Sequence, residues 1–114
     1  MHRKTILQAK EDLLQKKYSA LELTEAIYQR IEKIEPKVQA FVHLTKDIAL
    51  NQAQEADRKL AAGHDAPLLG IPIALKDLIC MKDALTTCSS KMLDQFIAPY
   101  DATVVNRLKK AGAV

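Results

Sequence analysis

One lysine lies inside an almost unbroken apolar run, the stretch LLGIPIALKDLI from Leu68 to Ile79. Four explanations of Lys76 fit the residues alone: its ammonium reaches water at the end of a strand, forms a buried ion pair, binds a phosphate, or acts as a base with a lowered pKa. Asp77 is a poor ion-pair partner, because consecutive strand residues point to opposite faces, and no glycine-rich phosphate loop accompanies the lysine. The pattern alone favours the first explanation and leaves the base open.

A loop rich in hydroxyl groups follows this run. It contains Thr86, Thr87, Cys88, Ser89 and Ser90 within MKDALTTCSSKMLDQFIAPY. A serine can act as a nucleophile when a base lies beside it. Ser89 and Ser90 lack a glycine-rich turn, however, so we interpret them as loop hydroxyls that bond the local backbone.

The cysteines and histidines indicate no metal site. Cys80 and Cys88 do not have CxxC spacing, and His2, His43 and His64 are scattered along the chain. We therefore predict no metal ion and two reduced thiols that pack as small hydrophobic side chains.

Composition and charge indicate a soluble globular protein. The chain has 114 residues, of which 48% are hydrophobic and 27% are charged, and its formal net charge is +3. This charge is too small and too scattered to be a nucleic-acid footprint. The N-terminus is interrupted by charges and no run is long enough to span a membrane, so the sequence predicts a cytoplasmic location.

The first half of the chain has helical periodicity. A short amphipathic stretch over Ile6 to Leu14 precedes a helix that Ser19 and Glu22 open as a capping box and that Pro36 is predicted to stop. Its predicted apolar stripe is Leu23, Ile27, Ile31 and Ile34. A further helix is predicted between Thr45 as its cap and Gly63 as its left-handed end. Its narrow stripe of small residues is Ala49, Ala53, Ala56 and Leu60.

The pattern changes after residue 63. The contiguous apolar residues between Leu68 and Ile79 predict a strand buried on both faces, as in a parallel or mixed sheet, although Pro72 counts against a central position. Asp101 is predicted to cap a last helix that ends near Gly112. The predicted inner face of that helix is Val104, Val105, Leu108 and Ala111.

These elements define an α/β chain that is incomplete as a domain. Residues 1–63 form the predicted helical region, and residues 64–114 carry the strand, the loop and the helix around the lysine motif. One strand has no ladder partner and four helices cannot cover both faces of a sheet. We therefore expect the 114 residues to be part of a larger domain.

Two segments resemble a known enzyme family. PLLGIPIALKDLI and LTTCSSKMLDQFIAPYDATVVNRLKKAGAV are similar to the opening of the amidase signature family. Within that family the likeness is closest to the A subunits of tRNA-dependent amidotransferases. A third segment, ALELTEAIYQRIEKIEPKVQAFVHLT, resembles the N-terminal helices of those subunits. The resemblance implies the N-terminal part of the amidase signature fold, in which helices precede the first strand of a mixed sheet and a covering helix.

The resemblance gives Lys76 a role. The family uses a Ser–cis-Ser–Lys triad, and Lys76 stands at the position of its lysine. A lysine with a pKa of about 10.4 is neutral in only about one molecule in a few thousand at neutral pH, so we expect an apolar pocket of Ile73, Leu75 and Leu78 to lower the pKa by desolvation. The triad serines belong to a downstream glycine- and serine-rich segment that these 114 residues lack. The chain alone is therefore expected to be inactive.

The resemblance also implies a reaction and partners. The whole enzyme would hydrolyse glutamine and pass ammonia to the B and C subunits, which act on a misacylated tRNA, with ATP and Mg²⁺ on the partner and no cofactor in this subunit. The loop from Thr86 to Ser90 would lie near the site. Two alternatives remain open: a general amidase of the same family that acts on small amides, and a non-catalytic helical interaction module.

Overall fold

The computed structural model describes residues 3–114, which form four α-helices and one short 3-10 helix. The elements are α1 (Ile6–Leu14), α2 (Ala20–Val38), α3 (Lys46–Ala61), the 3-10 helix Lys91–Leu93 and α4 (Thr103–Lys110). The chain divides into two compact units: the first runs up to Ile73 and includes Ala111–Val114, and the second is Ala74–Lys110. None of the helices in the described part is long and apolar enough to cross a membrane.

Helix α2 begins with the capping box that the sequence predicts. The Ser19 hydroxyl accepts a hydrogen bond from the Glu22 backbone N at 3.0 Å, and the Glu22 carboxylate accepts one from the Ser19 backbone N at 2.7 Å. Asp57 of α3 adds a second cap, since its carboxylate oxygens accept from the backbone N of Ala20 at 2.7 Å and of Leu21 at 3.1 Å. Four amide groups at a helix start lack helical partners, so α3 fixes the start of α2 directly.

The core of the first unit lies where α1, α2 and α3 meet the segment around Leu69. Small side chains on α3 let it approach α2 closely, as the alanine stripe indicated, and Ala53 and Ala56 are buried there. The buried apolar cluster consists of Ala9, Leu13, Ala20, Leu23, Ala53, Ala56, Leu69 and Ile71.

Pro36 does not stop α2. The helix continues to Val38, and the prediction of an end at Pro36 is wrong. A proline in the last turn removes only its own N–H donor, and the Gln39 backbone N still donates to the Glu35 carbonyl at 2.8 Å. The helix ends because Gln39 is left-handed, with a φ of 51°.

Helix α3 ends as predicted and begins differently. Gly63 has a φ of +80°. The backbone N of His64 donates to the carbonyl of Lys59, and the backbone N of Gly63 donates to the carbonyl of Leu60. These two bonds are the Schellman arrangement. At the other end Thr45 occupies the cap position but makes no side-chain capping bond. The predicted threonine cap is therefore wrong.

The predicted strand over 68–79 is not formed within residues 3–114, where no strand occurs. Val114 donates to the Ile71 carbonyl at 3.0 Å and accepts from the Ile73 backbone N at 2.8 Å, which is the pattern of a single parallel pair. Pro72 lies between these two bonding residues, so its missing N–H leaves the pairing intact. The extended segment is short because turns at Leu68–Ile71 and Lys76–Ile79 interrupt it.

The second unit contains α4 and a small antiparallel contact. Leu85 and Ile97 form an isolated bridge, and the bonds from Thr86 to Phe96 and from Ala98 to Ala84 flank it. Val105 on α4 is buried and Leu108 is half-buried.

Two predictions on α4 are wrong. Asp101 lies two residues before the helix, and its carboxylate accepts instead from the Lys82 backbone N at 2.8 Å and from the Lys109 ammonium at 2.5 Å. Neither contact is with a backbone N of the first turn of α4, so Asp101 does not cap that helix. The hydrogen bond from the Lys109 ammonium lowers the pKa of Asp101 below its usual value. Val104, assigned to the inner face, is 45% exposed because an eight-residue helix buries only a narrow stripe.

Candidate functional site

Lys76 lies at the start of a turn in the second unit. Its carbonyl accepts a hydrogen bond from the Ile79 backbone N at 2.9 Å, and its side chain is exposed. Leu75 is half-buried, whereas Leu78 is 55% exposed. The described residues therefore do not enclose the ammonium in the predicted apolar pocket, and the role of Lys76 as a base stays a prediction.

Asp77, the next residue, is held by the hydroxyl-rich loop. One carboxylate oxygen accepts from the Thr87 backbone N at 2.9 Å, and the other accepts from the Thr87 hydroxyl. The Asp77 carbonyl accepts from the Cys88 backbone N at 3.1 Å. Thr87 is buried and Asp77 is half-buried, so both bonds to the carboxylate are partly buried. The loop from Thr86 to Ser90 thus contacts the residue adjoining Lys76.

The tip of this loop has an unusual backbone. Cys88 and Ser89 have φ angles of 51° and 55°, the left-handed region that costs a residue with a side chain about 1–2 kcal/mol. Cys88 is exposed, which corrects the prediction that it packs as a small hydrophobic side chain. The Ser89 backbone N donates to the Thr87 hydroxyl at 3.3 Å. Thr87 therefore bonds both the strained tip, at Ser89, and the Asp77 carboxylate.

Ser90 behaves as the sequence interpretation has it. Its hydroxyl accepts from the Met92 backbone N at 3.2 Å and opens the 3-10 helix Lys91–Leu93. Its own backbone N donates to the Thr87 carbonyl at 2.9 Å. The bonds recorded for this serine are local, and they do not link it to Lys76.

The other end of the loop is anchored by the antiparallel bridge. The Thr86 backbone N donates to the Phe96 carbonyl at 3.0 Å, and Thr86 is buried. A set of hydrogen bonds made by the adjacent residues Thr86 and Thr87 therefore attaches this loop to the bridge at one residue and to Asp77 at the next. Sequence reasoning did not find this set, because it considered Asp77 only as a partner for the adjacent lysine and no local pattern links residues ten positions apart.

In the part of the chain that the structure describes, the remaining thiol, His43 and His64 belong to no cluster of metal-binding side chains. Cys80 is half-buried, and its hydrogen bond with Tyr100 raises the pKa of that phenol. Within residues 3–114, no group of three or more His, Cys, Asp and Glu side chains could hold a metal ion. His43 and His64 are described by the structure, and His2 lies outside the described residues.

A shallow apolar groove lies in the first unit, at the end of α2. Its lining includes Ile31, Pro36, Phe41 and Leu44. Glu35 at its edge accepts from the Phe41 backbone N at 2.7 Å. The acids in its lining are Glu32 and Glu35, and the Glu35 carboxylate is engaged at the end of α2, so the residues around Lys76 are the better candidate site.

The chain belongs to the amidase family, whose profile, described as Amidase, matches residues 22–114. Its relatives include the A subunit of the glutamyl-tRNA(Gln) amidotransferase of Coxiella burnetii, which is 54% identical over the whole chain. The protein of the same name from Desulfatibacillum aliphaticivorans is 52% identical, again over the whole chain. The chain spans only 24% of the length of each of these relatives.

The fold is that of solved amidases. A peptide amidase in complex with the competitive inhibitor chymostatin superposes with a TM-score of 0.91 and 34% identity over 98% of this chain, which is 23% of that protein. The resemblance to the amidase signature family is therefore confirmed both for the sequence and for the fold.

Proposed function

We propose that these 114 residues belong to the glutaminase subunit of a tRNA-dependent amidotransferase, and that Lys76 is its catalytic base. The observation that carries the proposal is the 54% identity to an amidotransferase A subunit across the whole chain, against 34% to the peptide amidase. The complete protein would hydrolyse glutamine through a serine acyl-enzyme. The ammonia would convert Glu-tRNA(Gln) to Gln-tRNA(Gln), Asp-tRNA(Asn) to Asn-tRNA(Asn), or both.

Lys76 supplies the proton-transfer part of this chemistry. A neutral amine takes the proton of a serine hydroxyl, directly or through a second hydroxyl, while the serine oxygen attacks the side-chain amide carbon of glutamine. The C–N bond then breaks, ammonia leaves with the proton that the amine returns, and water hydrolyses the acyl-enzyme to glutamate. An ordinary exposed lysine is almost entirely protonated near neutral pH, so it has no free lone pair with which to accept a proton. We propose that further residues of the complete protein cover Lys76 and lower its pKa by desolvation.

The 114 residues alone are proposed to be inactive. Ser90 bonds local backbone, and Ser89 lies at the strained tip of its loop rather than in a glycine-rich turn. The B and C subunits would receive the ammonia, and ATP with Mg²⁺ would act there, in the cytoplasm. The glutaminase itself would need no cofactor.

A chimaera tests the assignment. These 114 residues would replace the matching quarter of the A subunit from Coxiella burnetii, which would be purified with the B and C subunits of that organism. We expect ammonia release from glutamine and amidation of the misacylated tRNA, while the isolated chain releases none. Hydrolysis of small amides without tRNA amidation would favour the general amidase instead. The isolated chain could instead hydrolyse glutamine and lose that activity in Ser89→Ala or Ser90→Ala. This result would contradict the proposal that the isolated chain is inactive because it lacks the serine nucleophile.

A further inference from the structure

We propose that Asp77 and Thr87 form a clamp that positions Lys76 for proton transfer, so that Thr87 is a positioning residue for the reaction. The inference rests on the proposed function of Lys76 as the base. It adds a role for two residues whose bonds are formed within the second unit, Ala74–Lys110.

The backbone after Lys76 is fixed at several points. The Lys76 carbonyl accepts from Ile79 at 2.9 Å, and the next carbonyl, that of Asp77, accepts from Cys88 at 3.1 Å. The Asp77 side chain accepts from both donors of Thr87. A hydrogen bond to a charged group is about twice as strong as one between neutral groups, so the carboxylate is the strongest of these attachments.

The clamp acts on the lysine through the backbone. The exposed Lys76 side chain has a flexible four-carbon stem, and its origin is set by the position of its own Cα. Thr87 is buried, and its neighbour Thr86 is bonded to Phe96 of the antiparallel bridge. Loss of the Thr87 hydroxyl would free the Asp77 carboxylate from one donor and would allow the 76–77 peptide to move.

The size of the expected effect follows from the geometry of proton transfer. Misplacement of a catalytic group by about 1 Å can reduce the rate by about a hundredfold. The role proposed for Lys76 is in proton transfer and not in the binding of glutamine. A positioning defect therefore lowers kcat and leaves KM for glutamine nearly unchanged.

The test uses the chimaeric protein in complex with its B and C subunits. Thr87→Val removes the hydroxyl at almost constant size, and Thr87→Ser restores it. Thr24→Val is the matched control, because Thr24 is also buried and its hydroxyl donates to the Ala20 carbonyl at 2.8 Å, far along the sequence from Lys76. We expect Thr87→Val to lower kcat for glutamine hydrolysis by about ten- to a hundredfold, Thr87→Ser to recover most of it, and Thr24→Val to retain it.

The outcomes separate the inference from the proposed function. Lys76→Ala is measured first and is expected to be inactive. Given that result, the clamp is overturned if Thr87→Val has an unchanged kcat, or if Thr87→Val and Thr24→Val lose kcat equally. Full activity of Lys76→Ala would instead overturn the proposed base. If Thr87→Val does not fold, Asp77→Asn carries the same prediction, because it weakens the clamp from the other side, and an unchanged kcat there would equally overturn it.

Discussion

At the scale of single residues, Asp12 is a buried acid that pairs with two lysines. Its buried carboxylate accepts from the Lys17 ammonium at 2.8 Å, from the Tyr18 hydroxyl at 3.2 Å and from Lys4. These partners favour the charged form, and the hydrogen bonds from Lys17 and Lys4 lower the pKa of Asp12 from 3.8 to about 2. Burial raises the pKa of Tyr18, the phenol that shares this carboxylate.

Asp12 should therefore make the stability of the chain depend on pH in the acid range. Because its folded pKa lies below its unfolded pKa, the unfolded state binds more protons, so the contribution is complete above about pH 4 and is lost as the pH falls toward about 2. We expect Asp12→Asn to lower the urea midpoint at about pH 6 and to reduce its fall between about pH 5 and 2.

Asp65→Asn is the control for this titration. Asp65 also bonds a lysine, Lys10 at 2.8 Å, but its side chain is 69% exposed, so the substitution should leave both the midpoint and its acid dependence nearly unchanged. If the urea midpoint of Asp12→Asn falls with pH as steeply as that of the original chain, the bonds of Asp12 to Lys4, Lys17 and Tyr18 do not form.

At the scale of elements, the start of α2 depends on a residue of another helix. The Asp57 carboxylate caps two amides of α2 from its place on α3, across 36 or 37 positions of sequence. We expect Asp57→Ala to reduce the free energy of unfolding by about 1–2 kcal/mol. Glu55→Ala is the control: its carboxylate pairs with Arg58 and Lys59 at the surface, so the loss should be about 0.5 kcal/mol or less. Equal losses in urea denaturation would contradict the cap.

Two of the left-handed glycines in the first unit allow a matched comparison. Gly63 and Gly70 have φ angles of +80° and +77°, but a Cβ on Gly63 would meet open space, whereas one on Gly70 would lie 2.9 Å from the Ala20 Cβ. Both alanine variants should lose about 1–2 kcal/mol for the left-handed backbone. We expect Gly70→Ala to lose a further 1–3 kcal/mol or so from overpacking. Thermal unfolding that shifts both variants equally would show that the segment at Gly70 is not packed on α2.

Local signals predicted the helices well and their long-range attachments poorly. The Ser19 and Glu22 capping box and the left-handed Gly63 are confirmed, because each depends on residues that are close in sequence. The cap by Asp57 and the hydrogen bond from the Lys82 backbone N to Asp101 depend on residues many positions away, so no local pattern could indicate them. The end predicted at Pro36 is wrong because the cost of a proline depends on how many helical bonds follow it.

At the scale of the whole molecule, the sequence predicted the family and the position of the lysine motif, and the comparisons confirm the family. The predicted apolar pocket around Lys76 was inferred from contiguous apolar residues, but Leu78 is exposed and so is Lys76. An enclosed site needs side chains from several distant segments, and a linear run of residues cannot supply them. The link from Thr87 to Asp77 was missed for the same reason.

The central claim is that Lys76 works as a base, and Lys76→Arg tests it most directly. Arginine keeps the positive charge and the long stem but does not lose its proton in proteins. The measurement is glutamine hydrolysis by the chimaeric protein with its B and C subunits, with Lys82→Arg, at an exposed lysine of the same unit, as control. We predict a loss of at least about a thousandfold for Lys76→Arg and none for Lys82→Arg. Activity of Lys76→Arg within a few-fold of the original would show that position 76 needs only a cation, and would contradict the account.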